Sequence, residues 1–205
     1  MLKKTRIAVL VSGGGTNLEA LLKAQEAGNI PHGEIVLVIS GTPGAYALTR
    51  AENHGVPAVT VPRRGRTQEA FEKELSAELQ KYSIDMIVLA GFLTILSEDF
   101  VKQWPGRIIN IHPSLIPAFC GKEYYGLRVH EAALARGVKV TGATVHIVNE
   151  IPDGGPILLQ KAVEVLPGDT PEVLQRRVME EAEWILLPRA AEMLAENIAA
   201  KKENF

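Results

Sequence analysis

Short, nearly unbroken apolar runs alternate with stretches whose leucines recur at helical spacing through the first half of the chain. RIAVLV at residues 6–11 has the branched, continuous character of a parallel strand buried on both faces. SGGGTN interrupts it, and Leu18, Leu21 and Leu22 in LEALLKAQEAG then predict a helix closed by Gly28. The alternation continues with strands at 34–40, 56–60, 85–90 and 107–111, separated by helices at 45–54, 67–82 and 97–101. Strands that alternate with helices imply a mostly parallel sheet flanked by helices.

The later part has a different pattern. Residues 127–136 read as a helix, but 138–148 and 156–165 read as two strands joined by the tight loop NEIPDGG. They predict an antiparallel strand addition near the C-terminus. Thr170, Pro171 and Glu172 form a helix start, with the helix running toward Leu187. Pro188 is expected to kink or restart that helix, and residues 201–205 to fray. No linker, tandem repeat or low-complexity tract divides the chain, so the expected fold is α/β in one domain over residues 1–205.

Composition narrows the function classes. With 46% hydrophobic and 22% charged residues the chain is an ordinary globular sequence, and a net charge of -2 favours small anionic ligands over a nucleic-acid surface. RRGR at residues 63–66 is the sharpest basic cluster. Cys120 is the only cysteine, so an intrachain disulfide is impossible. The longest apolar run, at 86–93, is too short to span a bilayer, and the opening segment lacks a signal-peptide core. A cytoplasmic protein with no membrane partner is expected.

Candidate chemistry lies where strands end. SGGGTNLE lacks the closing Gly-Lys-Ser/Thr of a nucleoside-triphosphate loop and the spacing of a dinucleotide fingerprint, so neither ATP nor NAD is expected. Its glycines permit close backbone approach, and a helix starting near Thr16 offers free N–H groups to an anion. Thr16 and Glu19 also satisfy a capping box, which would make the segment only a turn with a cap. Both readings stand.

NIHPSLIPAF, at residues 110–119, sets an amide and an imidazole two positions apart at the end of the fifth strand, followed by two prolines. The carboxyl ends of parallel strands form the ligand crevice. Fixed donors there would suit an oxyanion formed when a nucleophile attacks a carbonyl. Asn110 and His112 are the candidates, against a satisfied loop corner. Asp153, in the glycine-rich loop, is the candidate partner that favours a charged His112 and relays a proton, although Asp-Gly-Gly is also common turn chemistry.

Other groups carry weaker signals. His146, in an alternating strand beside Thr144, reads as a structural imidazole or a donor behind the primary site, whereas His32, His54 and His130 read as solvated or satisfied. Cys120 has no nucleophile elbow around it. No Cys/His/Asp group has metal-ligand spacing, so no metal is expected. AGFLTIL, at residues 90–96, reads either as the wall of a pocket for a flat organic group or as packing for the fourth strand.

SGGGTNLEALL, AGFLTIL, GRIINIHPSLIPAF and TGATVHIVNEIPDGGPILLQ, in that order, resemble the folate-dependent phosphoribosylglycinamide formyltransferases of purine biosynthesis along almost the whole chain. The resemblance implies a Rossmann-like sheet and transfer of a formyl group from 10-formyltetrahydrofolate to the amino group of glycinamide ribonucleotide. It implies Asn110, His112 and Asp153 as catalytic residues, and Gly15, Thr16 and Asn17 as contacts to the substrate phosphate. A late-helix glutamate is implied as a further substrate contact, with Glu183 preferred and Glu181 the second choice. Folate contacts are implied for Leu93, Thr94, Ile95, Leu96 and Ser97, for Val148, Asn149 and Glu150, and for Arg64. Two small-molecule substrates are the expected partners, with monomer or homodimer left open, as is the role of residues 122–125. The nearest alternatives are a 10-formyltetrahydrofolate hydrolase and a methionyl-tRNA formyltransferase; outside enzymes, a nucleotide-binding module.

Overall fold

A computed structural model describes residues 4–203. Five parallel strands, β1 (Thr5–Val11), β2 (Gly33–Ser40), β3 (Ala58–Thr60), β4 (Met86–Leu89) and β5 (Ile108–His112), carry two antiparallel additions, β6 (Val140–Ile147) and β7 (Ile157–Glu164). The order across the sheet is β3-β2-β1-β4-β5-β6-β7. It is a Rossmann-like α/β sheet.

The unbroken apolar strands are explained by burial on both faces. Ile7, Val9 and Val11 pack with Leu18, Leu21 and Leu22 of α1 (Thr16–Glu26), whereas Ala8 and Leu10 pack with Phe71, Leu75 and Leu79 of α3 (Gln68–Lys81). Complete burial of one such leucine is worth about 1.5–3 kcal/mol. Helix α2 (Tyr46–Asn53) lies on the α1 face, and α4 (Glu98–Lys102) on the α3 face. After β5 come α5 (Leu127–Arg136), the β6–β7 hairpin and α6 (Pro171–Val178).

Two features of the late helix differ from the sequence expectation. The chain runs from α6 through a π-helical turn (Met179–Glu183) into α7 (Trp184–Glu203), and Pro188 lies inside α7 rather than restarting the helix. Proline lacks the N–H that would bond the carbonyl at residue 184, and the wider π turn lies immediately before this position. Burial of Pro188, Leu186 and Leu187 holds the helix together around the missing bond. α7 is assigned through Glu203, and residues 204–205, part of the segment expected to fray, lie outside the described residues.

Strand order places the crevice. The chain moves outward from β1 to β2 and β3, then returns to β4 on the other side, so loops at the carboxyl ends of β1 and β4 diverge. The glycine loop after β1 and the segment after β4 meet there, joined by the Ser12 hydroxyl accepting the Leu93 N–H at 2.9 Å.

Candidate functional site

The glycine loop turns its amides toward the crevice. Its carbonyls face α2: Gly13 O accepts the Ala47 N–H at 3.1 Å, and Gly14 O accepts from Arg50 Nε at 2.9 Å. In a trans peptide the following N–H points the opposite way, so the Gly14 and Gly15 amides point away from α2. Gly15 has φ 74°, and a Cβ there would come within 2.6 Å of the Ala47 Cβ; glycine is required at this position.

The capping box weighed as the alternative for Thr16 and Glu19 does not form. Gly15 occupies the cap position and no side chain caps α1. The Thr16 hydroxyl reaches the Met179 sulfur at 3.7 Å, and the Glu19 carboxylate instead accepts from Arg50 at 2.9 Å. The long-range guanidinium outcompetes the local amide for Glu19. The first turn of α1 therefore keeps its free N–H groups, and its dipole favours an anion.

Across the crevice, pairing of β5 with β6 sets Asn110 opposite His146 and His112 opposite Thr144. Opposed residues in an antiparallel pair share a face. The Asn110 amide nitrogen lies 3.2 Å from His146 Nε2 and donates to Asp153 Oδ1 at 3.5 Å. His146 Nδ1 donates to the Ile147 carbonyl at 2.9 Å, which leaves Nε2 facing the Asp153 carboxylate at 3.5 Å. His112 Nδ1 lies 3.6 Å from Asp153 Oδ2, while its Nε2 donates to the Phe119 carbonyl at 2.8 Å. A carbonyl only accepts, so His112 carries a proton on Nε2 and turns Nδ1 toward Asp153.

Asp153 reaches this cluster because its loop folds over the sheet end. The Ile147 N–H donates to the Pro156 carbonyl at 2.8 Å, and a Cβ at Gly155 would lie 1.8 Å from the Ile147 carbonyl oxygen. Asp153 itself is left-handed at φ 56° and its Oδ2 accepts the Gly121 N–H at 2.8 Å. Burial alone would raise the Asp153 carboxyl, but the His146 contact, the His112 and His146 charges and the Gly121 amide outweigh it and hold it below the usual range. It is an anion at neutral pH.

Two cavities meet at this cluster. A larger one of about 700 Å³ is lined by Ser12, Gly13 and Asn17 on one side and by His112, His130 and Glu183 on others. A narrower one of about 120 Å³ lies between the segment after β4 and the loop after β6. Asn110 and Asp153 line both.

The candidate folate residues divide. Thr94, Ile95, Leu96, Val148, Asn149 and Glu150 line the narrow cavity, and Leu93 lines the larger one. Ser97 lines neither: its hydroxyl caps α4 at Phe100 N and donates to Glu72 at 2.6 Å. Arg64 is exposed on the loop after β3 and lines neither cavity. Gly15 and Thr16 are not among the lining residues of either cavity.

Glu183 is buried and accepts from Asn17 Nδ2 at 2.6 Å, whereas Glu181 is exposed. Burial pushes the Glu183 carboxyl up to about 7, against the opposing effect of the Asn17 hydrogen bond. The folded state thus binds this proton more tightly than the unfolded chain. The associated stability is fully present below about pH 4.5 and is lost as pH rises through about 7. At pH 8 the full cost is of the order of 3 kcal/mol by the usual conversion. Glu183→Gln, which mimics the neutral form, is expected to melt several degrees above the parent at pH 8 and close to it at pH 4.5; equal shifts at both pH values would remove Glu183 as the cause.

Several lining residues were not identified from the sequence. Gln175 and Met179 enter from α6 and the π turn, and Lys122, Tyr124 and Tyr125 from the loop before α5. His130, expected to be solvated or satisfied, is instead fully buried, and neither ring nitrogen has a hydrogen-bond partner among the described residues. Burial, with a smaller effect from His112, lowers it to about 4. Its spacing from Leu127, Ala133 and Leu134 is that of a buried helix face, a signal available in the sequence.

The remaining candidates are simpler. His32 contacts Glu192 at 2.5 Å and His54 contacts Glu26 at 2.6 Å. Burial, with the nearby Asp153 charge, pushes the Cys120 thiol up, which disfavours a thiolate. Among the described residues no group of three or more His, Cys, Asp or Glu side chains is placed to hold a metal ion, and no helix is long and apolar enough to cross a membrane.

The formyl transferase family model matches residues 5–190. The trifunctional purine biosynthetic protein adenosine-3 of Drosophila melanogaster is 41% identical over 96% of this chain, which spans 14% of that protein's length. The chloroplastic phosphoribosylglycinamide formyltransferase of Arabidopsis thaliana is 36% identical, with 98% of this chain and 70% of that protein aligned. Among solved structures, glycinamide ribonucleotide transformylase 1 from Symbiobacterium toebii superimposes with a TM-score of 0.88 at 43% identity, over 95% of this chain and 89% of that one.

Proposed function

Given that this chain belongs to the formyl transferase family and to its phosphoribosylglycinamide formyltransferases, we propose that it transfers the formyl group of 10-formyltetrahydrofolate to the amino group of glycinamide ribonucleotide, as one catalytic domain. One observation carries this reading: Asn110 and Asp153 line both cavities, so ligands held in the two meet at the polar cluster.

The two cavities suit different ligands. The larger one runs from the uncapped α1 N-terminus to Asp153, matching a molecule with a phosphate at one end and an amine at the other. The narrow one is walled by Leu89, Phe92, Leu96, Val101 and Val148, with Ile95 and Ile151 at its exposed rim. Apolar faces with backbone edges between them fit the flat ring of a folate. The folate, when bound there, supplies the formyl carbon.

Attack by an amine on a formyl carbon develops negative charge on oxygen and positive charge on nitrogen; the transfer completes as the bond from that carbon to the folate nitrogen breaks and the proton lost by the amine, passed by way of Asp153, ends on that departing nitrogen. The Asn110 amide, and His112 when protonated at Nδ1, are donors for the oxygen. Asp153, held ionised, faces His112 Nδ1 and is the acceptor toward which the surplus amine proton moves. The Phe119 carbonyl keeps the His112 ring from turning away. Donors already fixed by such contacts need not reorganise as charge develops, which lowers the barrier most.

The testing assay mixes the protein with both substrates and follows release of tetrahydrofolate. Release that requires the ribonucleotide is expected. Release without it would identify a hydrolase, release with the initiator tRNA in its place a tRNA formyltransferase, and binding without release a nucleotide-binding module.

A further inference from the structure

His130 has no role in the chemistry above, yet it stands in the wall of the larger cavity together with Asn17 and Glu183. It is fully buried on α5, and both ring nitrogens lack partners among the described residues. Asn17, which lines the same cavity, spends its amide nitrogen on Glu183 and leaves its buried Oδ1 unpartnered as well. Buried polar atoms without partners cost stability, and where they line a cavity a bound ligand can satisfy them.

The chemistry of the group restricts what it meets. An imidazole lowered to about 4 is neutral at physiological pH, so it presents one N–H donor and one lone pair. It is suited neither to a phosphate, for which the uncapped end of α1 is available, nor to an amine, for which Asp153 is the anion. A hydroxyl, itself both donor and acceptor, matches it.

We propose that His130 is a specificity-determining contact for a sugar hydroxyl of the ribonucleotide, with Asn17 Oδ1 as its companion acceptor. This rests on the substrate assignment made above, because removal of the phosphate and the amine from that molecule leaves the ribose hydroxyls as its principal uncharged donors. The histidine discriminates by hydrogen bonding: a ligand without the hydroxyl leaves the imidazole unsatisfied in the bound state too.

Isothermal titration of glycinamide ribonucleotide, and of its 2′-deoxy and 3′-deoxy forms, into the parent protein and His130→Phe tests this. Phenylalanine keeps a ring in the space and removes the orphaned atoms, so the ligand-free variant should melt at or above the parent temperature. It should bind the ribonucleotide about tenfold more weakly, the equivalent of one lost hydrogen bond. One deoxy form should bind parent and variant equally. In turnover the ribonucleotide KM should rise while kcat and the folate KM stay within about twofold. His130→Asn, which keeps a donor and an acceptor, should recover part of the discrimination, and it serves if the phenylalanine variant does not fold. Equal ribonucleotide affinity in the parent and His130→Phe overturns the role of His130 alone, as does equal affinity of the parent itself for the ribonucleotide and both deoxy forms. Failure of the parent to bind the ribonucleotide overturns the substrate assignment and this inference with it.

Discussion

Asp153→Asn is expected to lower kcat by about 10⁴-fold, the loss seen when a carboxylate that orients an imidazole becomes an amide. Ligand affinities should change little. Several features separate this loss from unfolding. Asparagine tolerates the left-handed backbone at φ 56° and can accept the Gly121 N–H through its carbonyl, so the loop keeps its path. What disappears is the negative charge 3.6 Å from His112 Nδ1 and 3.5 Å from His146 Nε2. The stability associated with a depressed carboxyl is present above its unfolded pKa and lost as pH falls. The variant should therefore be less stable than the parent at pH 7, with the gap closing in acid. Single-turnover assays and melts across pH measure both effects; kcat within tenfold of the parent would remove Asp153 from proton control.

Asn110→Ala is the second large effect, expected at about 10²- to 10³-fold in kcat, the cost of removing one preorganised donor to a developing oxyanion. The Asn110 amide sits between His146 and Asp153 at 3.2 and 3.5 Å, so its rotamer is set before any ligand arrives. Alanine removes the donor while the β5–β6 backbone pairing stays. Both Michaelis constants should remain within a few-fold, because the interaction develops in the transition state. A variant that raised KM and left kcat unchanged would make Asn110 a binding residue.

Much of the layout was legible in the sequence because each signal is local. RIAVLV alternates in space between the α1 face and the α3 face, which is why it reads as one continuous apolar run. The switch from helix-separated strands to the two strands around NEIPDGG marked the antiparallel additions, which the β5–β6 and β6–β7 pairing bears out. Thr170 with Pro171 marked a real helix start, and the Thr170 hydroxyl accepts the Val173 N–H at 3.3 Å.

The failures have a common cause. Thr16 and Glu19 match a capping box in every local respect, but Arg50 from another helix competes for the Glu19 carboxylate. Pro188 breaks isolated helices, yet burial of α7 carries the helix through it. His130 was read as solvated or satisfied although its spacing from Leu127, Ala133 and Leu134 marks a buried helix face; which wall that face packs against is not written in LRVHEAALAR.

The sequence alone determined the alternation of elements, the glycine turn, the stiff Asn110–His112 corner and the family, all of them carried by neighbouring residues or by motif order. Only the tertiary structure decided which groups meet: that Asp153 arrives beside residues more than forty positions earlier, that Asn17 reaches Glu183, and that two cavities share a wall. Distances between remote residues depend on strand register and helix docking, and these are set by burial summed over the whole chain rather than by any local run of it.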